Sequence, residues 1–130
     1  MNLRYVADTA ANQGNEPVYT REEAIQHFKD TANISTLPFI YLSAGVTNEA
    51  FLETLALAGE AGVPFSGVLC GRATWQDGIK VYGQSGPEGV RSWLKEEGVR
   101  RMTELGCVLQ KAAIPWWDFY GGKENIQIID

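Results

Sequence analysis

The chain carries one histidine, two cysteines and no excess of positive charge. Each shortage narrows what it does. His27 has no second imidazole or cysteine at metal-ligand spacing, so it reads as a surface residue beside a helical stripe. Cys70 and Cys107 are too few for a disulfide framework. Both are expected as reduced core residues, Cys70 in a buried strand and Cys107 on a helix, which suits a cytoplasmic protein. A net charge of −5 argues against a general nucleic-acid or anionic-membrane surface. It does not argue against a phosphorylated ligand, because one local arginine outweighs a distant average. No apolar run approaches the roughly 20 residues that span a bilayer. The start, Met1-Asn2-Leu3-Arg4-Tyr5, lacks the apolar centre of a signal peptide. No internal repeat or low-complexity segment interrupts the chain.

What is present is an ordinary folding composition. At 130 residues and 45% hydrophobic content, residues 1–130 read as one domain with enough chain to bury a core. The stretch Phe65-Ser66-Gly67-Val68-Leu69-Cys70-Gly71-Arg72-Ala73-Thr74-Trp75 is the informative one. An apolar run, a candidate buried strand over residues 65–70, breaks at Gly71 and turns into helical spacing. Glycine lets backbone N–H groups come close to a ligand. A helix start adds unpaired donors and a partial positive charge. Arg72 adds a planar fork that fits phosphate oxygens. The combination reads as an anion cradle; the alternative is a strand-end arginine that is solvated or paired with an acid.

Upstream, Leu37-Pro38-Phe39-Ile40-Tyr41-Leu42-Ser43-Ala44-Gly45-Val46 has the same grammar. A strand over residues 37–42 is followed by a hydroxyl, a small residue, a glycine and a helix. Two consecutive strand–loop–helix units predict neighbouring parallel strands whose C-terminal ends share one mouth.

Three segments then carry a resemblance: residues 42–46, Gly67-Val68-Leu69-Cys70-Gly71-Arg72-Ala73-Thr74-Trp75, and Lys80-Val81-Tyr82. Together they resemble the C-terminal part of the class I tagatose 1,6-bisphosphate aldolase family. Arg91-Ser92-Trp93-Leu94-Lys95-Glu96-Glu97-Gly98 is similar to the family's next segment, and the likeness runs over residues 2–113. It implies an α/β fold, the C-terminal part of a (β/α)₈ TIM barrel made of the last two βα units and the C-terminal helices. It implies a Schiff-base lyase that cleaves the ketose bisphosphate to dihydroxyacetone phosphate and glyceraldehyde 3-phosphate, using no metal and no cofactor. It places the substrate phosphate on Leu42, Ser43, Gly45, Gly71 and Arg72. The segment like Asn2-Leu3-Arg4-Tyr5-Val6 follows the sixth barrel strand, which bears the imine-forming lysine. That lysine and the acid–base carboxylate are therefore expected in a first half that this sequence lacks, leaving no catalytic residue here.

Among the lysines present, Lys29, Lys95, Lys111 and Lys123 fall on polar helix faces or the tail. Lys80 alone lies near the mouth, and nothing around it guarantees the desolvation that a nucleophilic amine needs. Two non-catalytic readings stand beside the enzyme: a half-barrel that binds sugar phosphate, and a structural remnant. The expected partners are a phosphorylated ketose or triose phosphate, with no nucleic acid and no membrane. A homo-oligomer, or a complement supplying the other half-barrel, is expected to cover the open apolar face.

The remaining elements follow from caps and stripes. Met1 to Val18 is read as extended, then polar and loop-like. Thr20-Arg21-Glu22-Glu23 is a capping box ahead of Ala24, Ile25 and Phe28. Thr47 or Asn48 caps a helix with Phe51, Leu52, Leu55 and Ala58 inward, stopped by Gly62. A short helix over residues 74–82 is expected to turn Trp75, Ile79 and Tyr82 inward and to end at Gly83. Pro87 starts another, with Val90, Trp93 and Leu94 as its apolar face, and Gly98 interrupts the run. Met102, Leu105, Val108, Leu109 and Ala112 make a last helix. The aromatic tail, residues 114–130, is expected to close an apolar seam within the subunit or against a neighbour, with a terminal strand or arm at residues 126–129.

Overall fold

The computed structural model describes residues 17–129; the extended, then loop-like stretch expected over Met1 to Val18 lies outside them except for its last two residues. Helix α1, Arg21–Ile34, starts as its cap demands. Thr20 Oγ1 accepts from Glu23 N–H at 3.2 Å, and the Glu23 carboxylate accepts from Thr20 N–H at 2.8 Å. Ala24 and Phe28 form its buried face.

Strand β1, Tyr41–Leu42, pairs in parallel with β2, Val68–Leu69, with Tyr41 opposite Val68 and Leu42 opposite Leu69. The crossover is helix α2, Asn48–Glu60, capped by the Thr47 side chain. The pairing and crossover are those expected, but the ladder is shorter than the apolar runs. Phe65 N–H turns back to Val63 O at 2.9 Å, and Gly67, at φ 150°, leaves the β region. Pro38 and Pro64 contribute no N–H. Outside the two-residue ladder, contact continues through Ser66 N–H to Phe39 O at 2.8 Å.

The core lies on one side of this pair. Phe65, Leu55 and Ala58 are fully buried. The Tyr41 ring meets Phe28, Phe39 and Phe65 edge-on, at centroid separations of 5.8, 5.7 and 5.0 Å. Burial pushes the Tyr41 phenol up to about 12. Helices cover this side alone among the described residues: Leu42 and Leu69, side by side in the register, are 63% and 60% exposed on the other.

Helix α3, Arg72–Trp75, leads into α4, Asp77–Trp93, which passes through a π-helical turn, Leu94–Gly98, into α5, Val99–Ala112. Three expectations are corrected here. Gly83 does not end a helix; the break is at Gly86, at φ 63°, because a residue before proline is driven out of the helical region. Gly98 does not interrupt the chain's helical course, because the wider turn absorbs it. Trp75, Ile79 and Tyr82 do share a face, but it is exposed and lines a shallow apolar groove with Val90 and Trp93.

Helix α5 lies against α2 so closely that a Cβ on Gly59 would stand 2.6 Å from Ala112 Cβ. A methyl group there has nowhere to go without separating two helices. Gly59→Ala is expected to destabilise the fold by about 1–3 kcal/mol, read as a lower denaturation midpoint at unchanged slope. Full stability would mean that the helices slide apart freely.

Cys107 is exposed, not in the core, and Cys70 is half-buried with its thiol pushed up by that burial. Ile114 N–H donates to Phe65 O at 2.9 Å and docks the start of the tail. Beyond it Trp116–Tyr120 forms a 3₁₀ turn whose rings contact one another edge-on. Trp116, Phe119 and Tyr120 remain exposed, so they close no seam among the described residues. Residues 126–129 form no strand.

Candidate functional site

The two strands end side by side, and the chain turns away from both ends at the loops that the sequence singles out. After β1, Ser43 is buried; its N–H donates to Leu69 O at 3.1 Å and its carbonyl accepts from Val46 N–H at 3.1 Å. Ala44 and Gly45 follow at φ 52° and 83°. Ala44 is the one non-glycine residue with positive φ among those described, a conformation that costs an L residue free energy. The turn leaves the Ala44 and Gly45 N–H groups without a described acceptor.

After β2, Gly71 O accepts from Thr74 N–H at 2.8 Å, Thr74 Oγ1 at 2.7 Å and Trp75 N–H at 3.2 Å. This fixes the start of α3, and Arg72 is its first residue. The guanidinium lies over the other loop. A Cβ on Gly45 would stand 3.1 Å from Arg72 Cζ, 3.2 Å from Nη2 and 3.3 Å from Nη1. Gly45 is thus required twice, for its backbone angle and for the fork above it. Among the described residues the Arg72 side chain has no hydrogen bond or ion pair, so the acid pair open to a strand-end arginine is not formed.

The structure therefore brings Gly45 and Arg72 into contact, aligns Leu42 with Leu69, and sets Ser43 and Gly71 at the two strand ends. Leu42 projects its side chain outward. Lys29, Lys80, Lys95, Lys111 and Lys123 are all exposed. No group of three or more metal-ligating side chains occurs among the described residues, and none of the described helices is long and apolar enough to cross a membrane.

One residue near the site escapes a reading by charge. Arg101, on α5, is 8% exposed. Its Nε donates to Glu97 Oε1 at 2.7 Å and its Nη2 to Asp77 Oδ2 at 2.8 Å. Its Nη1 reaches the carbonyls of Thr74 at 3.3 Å and Ala73 at 3.5 Å. Hydrogen bonds from Arg100 and Arg101 hold the Glu97 carboxyl down at about 2. The signal was positional: Arg101 precedes Leu105 by four residues and so lies on the buried stripe.

Comparison with known proteins follows the same residues. A family profile described as a DeoC/LacD family aldolase matches residues 9–77, slightly more than half the chain and inclusive of both loops. The chain belongs to the DeoC/LacD aldolase family. It is 45% identical, over its whole length, to a tagatose 1,6-diphosphate aldolase of Listeria monocytogenes serotype 4a (strain HCC23), covering 38% of that protein. It is 47% identical over 116 residues, 89% of its length, to tagatose 1,6-diphosphate aldolase 2 of Streptococcus pyogenes serotype M1, covering 35% of it. Over 116 residues, again 89% of its length, it is 48% identical to the tagatose 1,6-diphosphate aldolase of Staphylococcus aureus (strain JH9), covering 35% of it. The chain thus spans little more than a third of these relatives.

Proposed function

We propose that this chain is the C-terminal part of a class I tagatose 1,6-bisphosphate aldolase and supplies its phosphate site. In this reading its two βα units are the last two of a (β/α)₈ barrel, where the final βα loops commonly hold phosphate. The observation that carries it is the contact of Arg72 with Gly45 at the ends of adjacent parallel strands. Ser43, Gly71 and the Ala44 and Gly45 N–H groups, which have no acceptor among the described residues, supply further donors, and Leu42 closes the strand before them. The chemistry is cleavage of the ketose bisphosphate through an imine, with a lysine amine as nucleophile. Every lysine described is exposed, which supports a binding role for this part and an amine supplied from elsewhere in the enzyme. A cytoplasmic setting belongs to the same proposal.

The exposed lysines also favour a second reading, a sugar-phosphate-binding module without lyase activity. Two measurements on the 130-residue chain divide the readings. Dihydroxyacetone phosphate is expected to raise its melting temperature progressively with concentration, because a ligand that binds only the folded state stabilises it by mass action. Borohydride is expected to trap no adduct on this chain alone. A trapped lysine would overturn the assignment of the amine elsewhere, and an unchanged melting temperature would leave only a structural remnant.

The apolar face of the strand pair bears on assembly. Ile40, Leu42 and Leu69 are exposed together, next to strand edges that no further strand among the described residues pairs. A homo-oligomer, or a complex with a chain carrying the other barrel strands, is proposed to cover this face. Light scattering at micromolar concentration is expected to give a mass above that of one chain. A monodisperse monomer would sink the self-association arm.

A further inference from the structure

Helix α3 has four residues, too few to hold itself, and Gly71 offers no side-chain cap. Its place is imposed by what it touches. On one side Ala73 is buried against α2. On the other, the Arg101 fork collects the carbonyls of Ala73 and Thr74, the Asp77 carboxylate at the start of α4 and the Glu97 carboxylate in the π-helical turn. The Trp93 ring closes over the guanidinium at 5.4 Å. A buried cation is tolerated only when its donors are met, and here four acceptors from three segments meet them. Two of those acceptors belong to the two residues immediately after Arg72.

From this we infer that Arg101 is a positioning residue for the anion site: it anchors α3 and so holds the Arg72 fork over Gly45. It touches no ligand itself. The inference rests on the reading of Arg72 and Gly45 as the phosphate site. Lysine at position 101 would keep the charge, but one ammonium cannot span two carboxylates and two carbonyls in a plane.

The test is a double-mutant cycle on the 130-residue chain, with dihydroxyacetone phosphate as the probe, followed by calorimetry. Arg101→Lys is expected to weaken binding by about 3- to 10-fold when Arg72 is present, as for coupled residues in one network. In the Arg72→Ala background it is expected to change affinity by less than about 2-fold, as independent sites do. Hydrogen exchange of the amides at residues 74–76 should quicken in the same variant. Should Arg101→Lys fail to fold, Asp77→Asn removes a single tether at a half-exposed partner and is expected to show the same coupling at smaller size. Equal weakening in both backgrounds, or no weakening with Arg72 present, would overturn the positioning role alone. No binding by the unsubstituted chain would overturn the anion site, and this proposal with it.

Discussion

Arg72→Ala is expected to lower the affinity for dihydroxyacetone phosphate by one to two orders of magnitude. A charge-assisted hydrogen bond contributes roughly 1.5–3 kcal/mol, which sets that range. The structure argues for the full amount. The guanidinium makes no ion pair among the described residues, so binding a phosphate breaks no internal one. The fork already lies over Gly45, at the loop where the ligand would sit. The net charge of −5 repels an anion at long range, which leaves attraction to this local cation. Because Arg72 is exposed and its side chain makes no hydrogen bond or ion pair among the described residues, its removal should leave the melting temperature of the free chain nearly unchanged. An isothermal titration giving unchanged affinity would remove Arg72 from the site. Arg72→Lys separates charge from geometry: it restores part of the affinity if a point charge suffices, and little if the fork matters.

The largest stability effect is expected at Phe65. Truncation to alanine removes a ring with no exposed surface, and Phe→Ala in a core typically costs about 3–5 kcal/mol through lost transfer energy and the cavity left behind. The site is poorly placed to collapse. Tyr41 stands edge-on to the ring, and the Phe65 carbonyl holds Ile114 N–H, so the backbone is tied on both sides. Small domains have only about 5–15 kcal/mol in total. Phe65→Ala should therefore lose much of its cooperative transition in urea, whereas Arg72→Ala keeps it. A loss below about 1 kcal/mol would mean that the core under the strand pair repacks readily.

The two variants separate kinds of information that the sequence carries unequally. Phe65 sits in an apolar run that any reading by hydropathy places inside. Arg72 follows a strand end and a glycine, and turn chemistry alone assigns it to a loop mouth. Arg101 is marked only by its place four residues before Leu105 on the helical stripe; its charge does not set it apart from Arg100, yet Arg100 is exposed and Arg101 is enclosed. Trp75, Ile79 and Tyr82 mislead in the opposite sense. Their spacing marks one helical face, but spacing does not state that another element covers that face.

By itself, then, the sequence determined the local events. Thr20 with Glu23 and Thr47 start their helices, Gly62 at φ 69° ends the crossover, and the two apolar runs pair in parallel with glycine-bearing loops at their ends. The helix starts and stops depend on interactions within a few residues, and residue type decides them; the strand pairing joins residues far apart, but the two apolar runs and the loops at their ends already specify it. Tertiary structure decided how far the ladder extends, that the helix runs on through Gly83 and the π-helical turn, and that Cys107 faces solvent. It also decided that the Arg72 fork lies on Gly45 and that Arg101 reaches α3 and α4. The two arginine contacts are pairings of groups far apart along the chain, whose free energy exists only after the backbone has brought them together.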